Sequence, residues 1–136
     1  TRRGKGIRFR EKMVHANGSL GIRLDRNDDV VAITGVTPES GVLLIGADGK
    51  GTIRMMSGFA ANKAPGSGGK TAMKTDHLIG AQTVKESDDV FAISRLSKVI
   101  RFQAIEIPPK TGVVQGVNCM SLRADEVTAI TVCSLS

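Results

Sequence analysis

Residues 43–56 read LLIGADGKGTIRMM, and residues 90–103, 47 positions further on, read VFAISRLSKVIRFQ. Each stretch opens on an aliphatic or β-branched run, breaks at a polar turn, and closes on Ile-Arg, at Ile53-Arg54 and Ile100-Arg101. The same offset lays Lys63 on Lys110 and Gly69 on Gly116. A short apolar run by itself fits a buried strand or a piece of helix. Asp48-Gly49 between two such runs decides for strands, because a tight hairpin needs a residue at positive φ and glycine adopts it without a Cβ penalty.

Outward from that hairpin the strand pattern continues. Ile7 and Phe9 alternate with Arg8 and Arg10, Leu20, Ile22 and Leu24 alternate likewise, and Val30–Val36, Val42–Ile45 and Val127–Val132 are continuous β-branched or aliphatic runs. Asn17-Gly18 supplies a further turn. Gly58, Gly80, Gly112, Gly116 and Pro108-Pro109 interrupt the candidate helices, which leaves room for at most one short helical turn. An acidic pair before an apolar run occurs three times, at Asp28-Asp29, Asp88-Asp89 and Asp125-Glu126, and reads as one recurring turn-and-strand signature. A period near 50 with about four antiparallel strands per unit predicts an all-β array of propeller-like blades. The units fall at approximately 1–56, 57–104 and 105–136, an arc of two to three blades.

Composition bounds the function. The 136 residues suit one domain, and 40% hydrophobic with 24% charged residues suits a folded one. No apolar run approaches the ~20 residues that cross a bilayer, and the first 15 residues have no signal-peptide core, so a membrane partner is not expected. Cys119 and Cys133 fit neither a disulfide framework nor a zinc spacing, and His15 and His77 are isolated, so no metal or cofactor is expected and a reducing cytoplasm is the simpler setting. Lys and Arg number 19 against 13 acids, for a net charge of +6, which favours a polyanion. The charge is segregated: residues 1–10 and 49–74 hold five bases each, and the former no acid. With no Trp or Tyr and four Phe, there is little to stack on unpaired bases, so duplex is favoured over single strands.

Three motifs carry chemistry on paper. APGSGGKT at 64–71 fits a relaxed phosphate loop with Lys70 and Thr71 in the lysine and hydroxyl positions, and a nucleotide-binding protein is one alternative reading. That loop works only at the start of a helix, and Gly80 breaks the segment that follows. The acidic pairs read as turns rather than a metal clamp, since neighbouring strand residues face opposite ways. No serine has a histidine and acid partner by spacing, so no catalytic residue is assigned.

The repeats resemble the C-terminal domain of the A subunit of bacterial DNA gyrase and topoisomerase IV. The resemblance rests on LLIGADGKGTIR, GSGGKTAMK, DDVFAISRLSKVIRF and AIEIPPKTGVVQGVNCMSLRADEVTAITV, and covers nearly the whole chain. It implies a β-pinwheel, a disc of five or six blades that exchange strands, of which this chain is an arc. It implies a non-catalytic module that binds and wraps duplex DNA, beside the ATPase B subunit and the rest of the A subunit. The opening TRRGKGI is similar to the gyrase box QRRGGKG, with Thr for Gln and one glycine fewer, and GSGGKT stands as its counterpart in the next blade. On this reading Arg2, Arg3, Lys5, Lys63, Lys70, Lys74, Lys98, Arg101 and Lys110 meet phosphates around a rim, while Arg54 and Arg101 equally fit as caps of strand ends or partners of acidic turns. A structural blade array for protein contacts is the remaining alternative.

Overall fold

A computed structural model describes residues 1–134. Ten strands are present among them: β1 (Lys5–Gly6), β2 (Gly41–Gly46), β3 (Lys50–Met55), β4 (Lys70–Thr71), β5 (Leu78–Val84), β6 (Asp89–Ser94), β7 (Val99–Gln103), β8 (Pro109–Lys110), β9 (Val117–Asn118) and β10 (Val127–Cys133). No α-helix accompanies them, so the all-β expectation holds. Two antiparallel sheets form the body, β5-β2-β3 and β10-β6-β7, each with a hairpin whose first strand sits in the middle. The sheets span 41–84 and 89–133, so the sequence boundaries at 56/57 and 104/105 fall within them, after β3 and after β7. The short fourth strand of the first sheet, β9, comes from the following unit and pairs antiparallel with β3 through Lys50↔Asn118 and Gly51↔Val117. β1 and β4 repeat that exchange one unit earlier, through Lys5↔Thr71 and Gly6↔Lys70. Only the two-residue β8 departs from antiparallel pairing, lying parallel to β3.

Apolar side chains alternate between the faces of each sheet and fill the gaps between blades. Val42 and Leu44 of β2 pack with Phe59, Met73 and Leu78, whereas Leu43 and Ile53 face Val84, Val90 and Ile107. A third cluster joins Ile45 to Ala92, Met120 and Val127. The central strand β2 is therefore buried on both faces, which its unbroken GVLLIG sequence anticipates.

Several sequence expectations fail, each for a stated reason. Ile7/Phe9, Leu20/Ile22/Leu24 and Val30–Val36 form no ladder: β1 stops at Gly6, Arg23 makes a single bridge to Gly68, and 28–36 is outside any strand. Alternation specifies which face a side chain takes but not whether a hydrogen-bonding neighbour exists. Three 3₁₀ turns replace the single helical turn expected, at Glu11–Met13, Met56–Gly58 and Ala104–Glu106. Each follows an Ile-Arg step, so Ile7-Arg8 is a third copy of the motif that reading in one register passed over. The acidic signature is not one structural position. Asp88-Asp89 leads into β6 and Asp125-Glu126 into β10, and those two strands are antiparallel neighbours, with Cys133 opposite Asp89.

Candidate nucleic-acid interface

Three four-residue turns share one construction: Thr1-Arg2-Arg3-Gly4, Gly46-Ala47-Asp48-Gly49 and Ser94-Arg95-Leu96-Ser97. In each the fourth amide donates to the first carbonyl, at 3.0, 3.0 and 2.9 Å. The fourth residue has positive φ in each, 84° at Gly4, 85° at Gly49 and 74° at Ser97. Glycine is required at the first two for a second reason. A Cβ on Gly4 would lie 2.2 Å from Met73 O, and one on Gly49 would lie 2.3 Å from Met120 O. There the turn is driven into the next unit, where Gly4 O accepts from the Ala72 and Met73 amides and Gly49 O from those of Cys119 and Met120.

These turns form one continuous row. Arg2 N donates to Asp29 O while Arg2 O accepts from Leu78 N. Ala47 N donates to His77 O while Ala47 O accepts from Val127 N, and Arg95 N donates to Glu126 O. Every turn is thereby stitched between consecutive units along one edge. The residue after the positive-φ position is lysine in all three, Lys5, Lys50 and Lys98. Sequence reasoning selected Lys5 and Lys98 and missed Lys50, although Gly4-Lys5-Gly6 and Gly49-Lys50-Gly51 both precede an Ile-Arg. Arg95, the counterpart of Arg2, was missed too, because the serine in SRLS hides the turn's likeness to TRRG. The pairing of TRRGKGI with GSGGKT is corrected by the same geometry: its counterpart is GADGKGT, since both loops cap a hairpin corner.

The bases differ in how far they are committed. Arg2 reaches Asp29 at 3.5 Å, Asp76 O at 3.4 Å and Asn27 O. Lys5 pairs with Asp25 at 2.6 Å, and Lys98 Nζ donates to Ser121 O at 2.7 Å beside an open depression lined by Leu122, Arg123 and Asp125. Lys50 is exposed and makes no such contact among the described residues, and the Arg3 side chain is likewise exposed. Lys63 folds back on Gly68 O at 2.6 Å within its own loop, and Lys70 lies 4.4 Å from the Phe59 ring. Lys74 and Lys110 are exposed, on either side of the point where Lys74 N meets Val114 O. Arg101 stands apart, paired with Asp89 at 2.9 Å. The nine selected bases thus divide into a turn row (Arg2, Arg3, Lys5, Lys98), a group around β4 and β8 (Lys63, Lys70, Lys74, Lys110), and Arg101 on β7.

Carboxylates hold the corners. Burial pushes the Asp28 carboxyl up, but hydrogen bonds from Thr1 and from the Arg3 and Asp29 amides outweigh it and leave the group below its ordinary value. Asp125 repeats this with the Leu96 and Glu126 amides, again ending below its ordinary value despite the opposing effect of desolvation. These acids are turn fasteners. Among the described residues no group of three His, Cys, Asp or Glu could hold a metal ion. The APGSGGKT loop is followed by β4, with no helix to aim amides at a phosphate, and is laced to the first unit by Gly66 N to Gly21 O and Arg23 N to Ser67 O.

The architecture is that of a β-pinwheel domain. The chain superposes on a solved DNA gyrase A C-terminal domain with a TM-score of 0.86 and 22% identity, covering 96% of this chain and 48% of that one. The topoisomerase IV C-terminal domain gives 0.86 and 16%, with 98% and 45% covered. In sequence the chain is 31% identical over 135 residues to the DNA gyrase A subunit of Pseudomonas aeruginosa, covering 91% of this chain and 14% of that protein. It is 29% identical over 139 residues to the same subunit of Haloquadratum walsbyi, covering 95% and 16%. No family model matches. The resemblance read from the repeats therefore stands in both sequence and fold, and the chain spans about half the length of the solved domains and about one seventh of the curated relatives.

Proposed function

We propose that this chain is a non-catalytic, duplex-DNA-binding and wrapping module of a type IIA topoisomerase A subunit, working in the cytoplasm with the ATPase B subunit and the remainder of its own subunit. It forms part of a five- or six-bladed disc, with repeat units near 1–56, 57–104 and 105–136. The observation that carries the DNA reading is the turn row: Lys5, Lys50 and Lys98 recur at one register along one stitched edge of a chain with net charge +6. Such a row meets a phosphate backbone, which carries a charge every ~1.7 Å of axis, without reading bases. Arg2, Arg3 and Arg95 flank it. Lys63, Lys70, Lys74, Lys110 and Arg101 extend the path around the rim.

Duplex affinity measured against salt tests the proposal. Replacing Lys5, Lys50 and Lys98 together by Gln should lower the salt slope by about 2.7, at ~0.9 for each phosphate no longer neutralised. A duplex of about one helical turn should bind more weakly than one of several turns, because only the longer one bends across successive blades. An unchanged slope with equal affinity for both lengths would sink the wrapping model and favour an array for protein contacts.

A further inference from the structure

We infer that the free backbone edge of residues 30–36 receives one more antiparallel strand, an apolar segment of the β2 and β6 type that runs directly into the Thr1 turn. Asp29 O, His77 O and Glu126 O accept from Arg2, Ala47 and Arg95, the second residues of the three equivalent turns. Val30, Leu78 and Val127 therefore occupy one position in three successive units. Leu78 is 4% exposed and Val127 1%, whereas Val30 is 59% exposed. Three residues on, Ile33 is 94% exposed, while Ala81 and Ile130 at that position are partly buried.

One side of this segment is already seated. Val31 and Val36 pack on the first core cluster, as Ile130 and Val132 of β10 pack on the second. Thr34 Oγ1 lies 3.0 Å from Thr83 Oγ1, which also donates to Gly35 O at 2.6 Å. What 30–36 lacks is the ladder that β2 gives to β5 and β6 gives to β10. The route by which a strand would enter is set by the turn. β2 ends at Gly46 and β6 at Ser94, the first residues of their turns, and Thr1 is the matching residue. The Thr1 amine donates to Lys5 O at 2.5 Å, just as Ser94 N donates to Lys98 O at 2.9 Å, so the hairpin-closing bond is in place. A strand leading into Thr1 then lies against 30–36 as β2 lies against β5. Its chemistry follows from its templates. GVLLIG in β2 is buried throughout, and Val90, Ala92 and Ser94 of β6 are buried in alternation, so the occupant is apolar on at least one face and covers Val30 and Ile33.

Hydrogen exchange on the full chain, extended ahead of Thr1, tests this. An arm of sequence GVLLIG joined to Thr1 should raise amide protection over 30–36 by at least about tenfold, and an arm of sequence GKSKSG should not. Adding Ile33→Lys to the first arm should remove most of the gain while β5 and β10 stay protected, which separates loss of docking from loss of fold. Unchanged exchange with the apolar arm, or equal protection with both arms, overturns the inference. Protection of 30–36 that appears without an arm and rises with protein concentration overturns it in favour of pairing between two copies. None of these outcomes depends on DNA binding.

Discussion

Ile53-Arg54 and Ile100-Arg101 are the same two residues at the same point of the repeat, yet their arginines meet opposite fates. Arg54 is 5% exposed and donates to four carbonyls, Thr111, Thr71, Ala72 and Gly58, at 2.8 to 3.3 Å, with its guanidinium 5.2 Å from the Phe59 ring. Burial lowers its pKa, but a guanidinium starts so high that it stays charged. The side chain of Arg101 is 64% exposed, pairs with Asp89 and lies 6.0 Å from the Phe91 ring. The difference lies in what the next unit brings. The 109–111 segment pairs alongside β3 and closes over Arg54, while β7 is the edge of its sheet among the described residues. An arginine at this position is a fastener between blades where a following blade covers it, and a surface cation where none does.

The comparison can be broken most forcefully at Arg54 itself. Arg54→Met should cost about 3–5 kcal/mol in urea unfolding, because four carbonyls lose a charged donor in a dry site. Arg101→Met should cost at most about 1 kcal/mol, as exposed ion pairs do. Arg54→Lys should not rescue, since one ammonium cannot span the fork. Equal losses at the two arginines would refute the account.

Glycine contacts sharpen the same contrast. A Cβ on Gly58 would lie 2.0 Å from Thr111 O, the carbonyl that also takes Arg54 Nε, whereas one on Gly112 would meet nothing within 4 Å. Gly58→Ala should therefore destabilise by about 2–3 kcal/mol by pushing the 109–111 segment off β3, and Gly112→Ala should stay within about 0.5 kcal/mol. Thermal melts of the two variants distinguish them.

The smallest effect compares the corner carboxylates. Asp28 and Asp125 both have folded-state pKa values held below the ordinary one, so the unfolded chain takes up their protons first as pH falls. Their contribution is fully present above the ordinary carboxylate range and is lost as pH drops through the folded values. Unfolding midpoints taken from about pH 6 down to about pH 3 should decline, and Asp28→Asn with Asp125→Asn should flatten the decline while costing little at neutral pH. Asn keeps the acceptor for the two amides at each corner. An unflattened profile would place the acid sensitivity elsewhere.

Much of the candidate interface was legible as composition and little of it as geometry. The excess of bases and their clustering pointed to a polyanion, and Lys5 and Lys98 stood out by position. Lys50 was hidden because its neighbours Asp48 and Gly49 read as a hairpin turn and nothing more. Lys63 and Lys70 looked like free loop cations, but a flexible stem lets each fold onto a nearby acceptor or ring, at Gly68 O and Phe59.

The sequence by itself determined the strand period, the hairpin at Asp48-Gly49, the repeat near 47 residues and hence the bladed fold. These are local properties, written in alternation, turn chemistry and self-similarity. Tertiary structure alone decided which apolar runs became strands and which of two identical Ile-Arg steps was buried. Val30–Val36 has as good a strand sequence as β10, but a ladder is a property of two segments and only one is present. The stitched row of turns likewise depends on hydrogen bonds between residues such as Arg2 and Leu78, 76 positions apart, whose meeting no local pattern encodes.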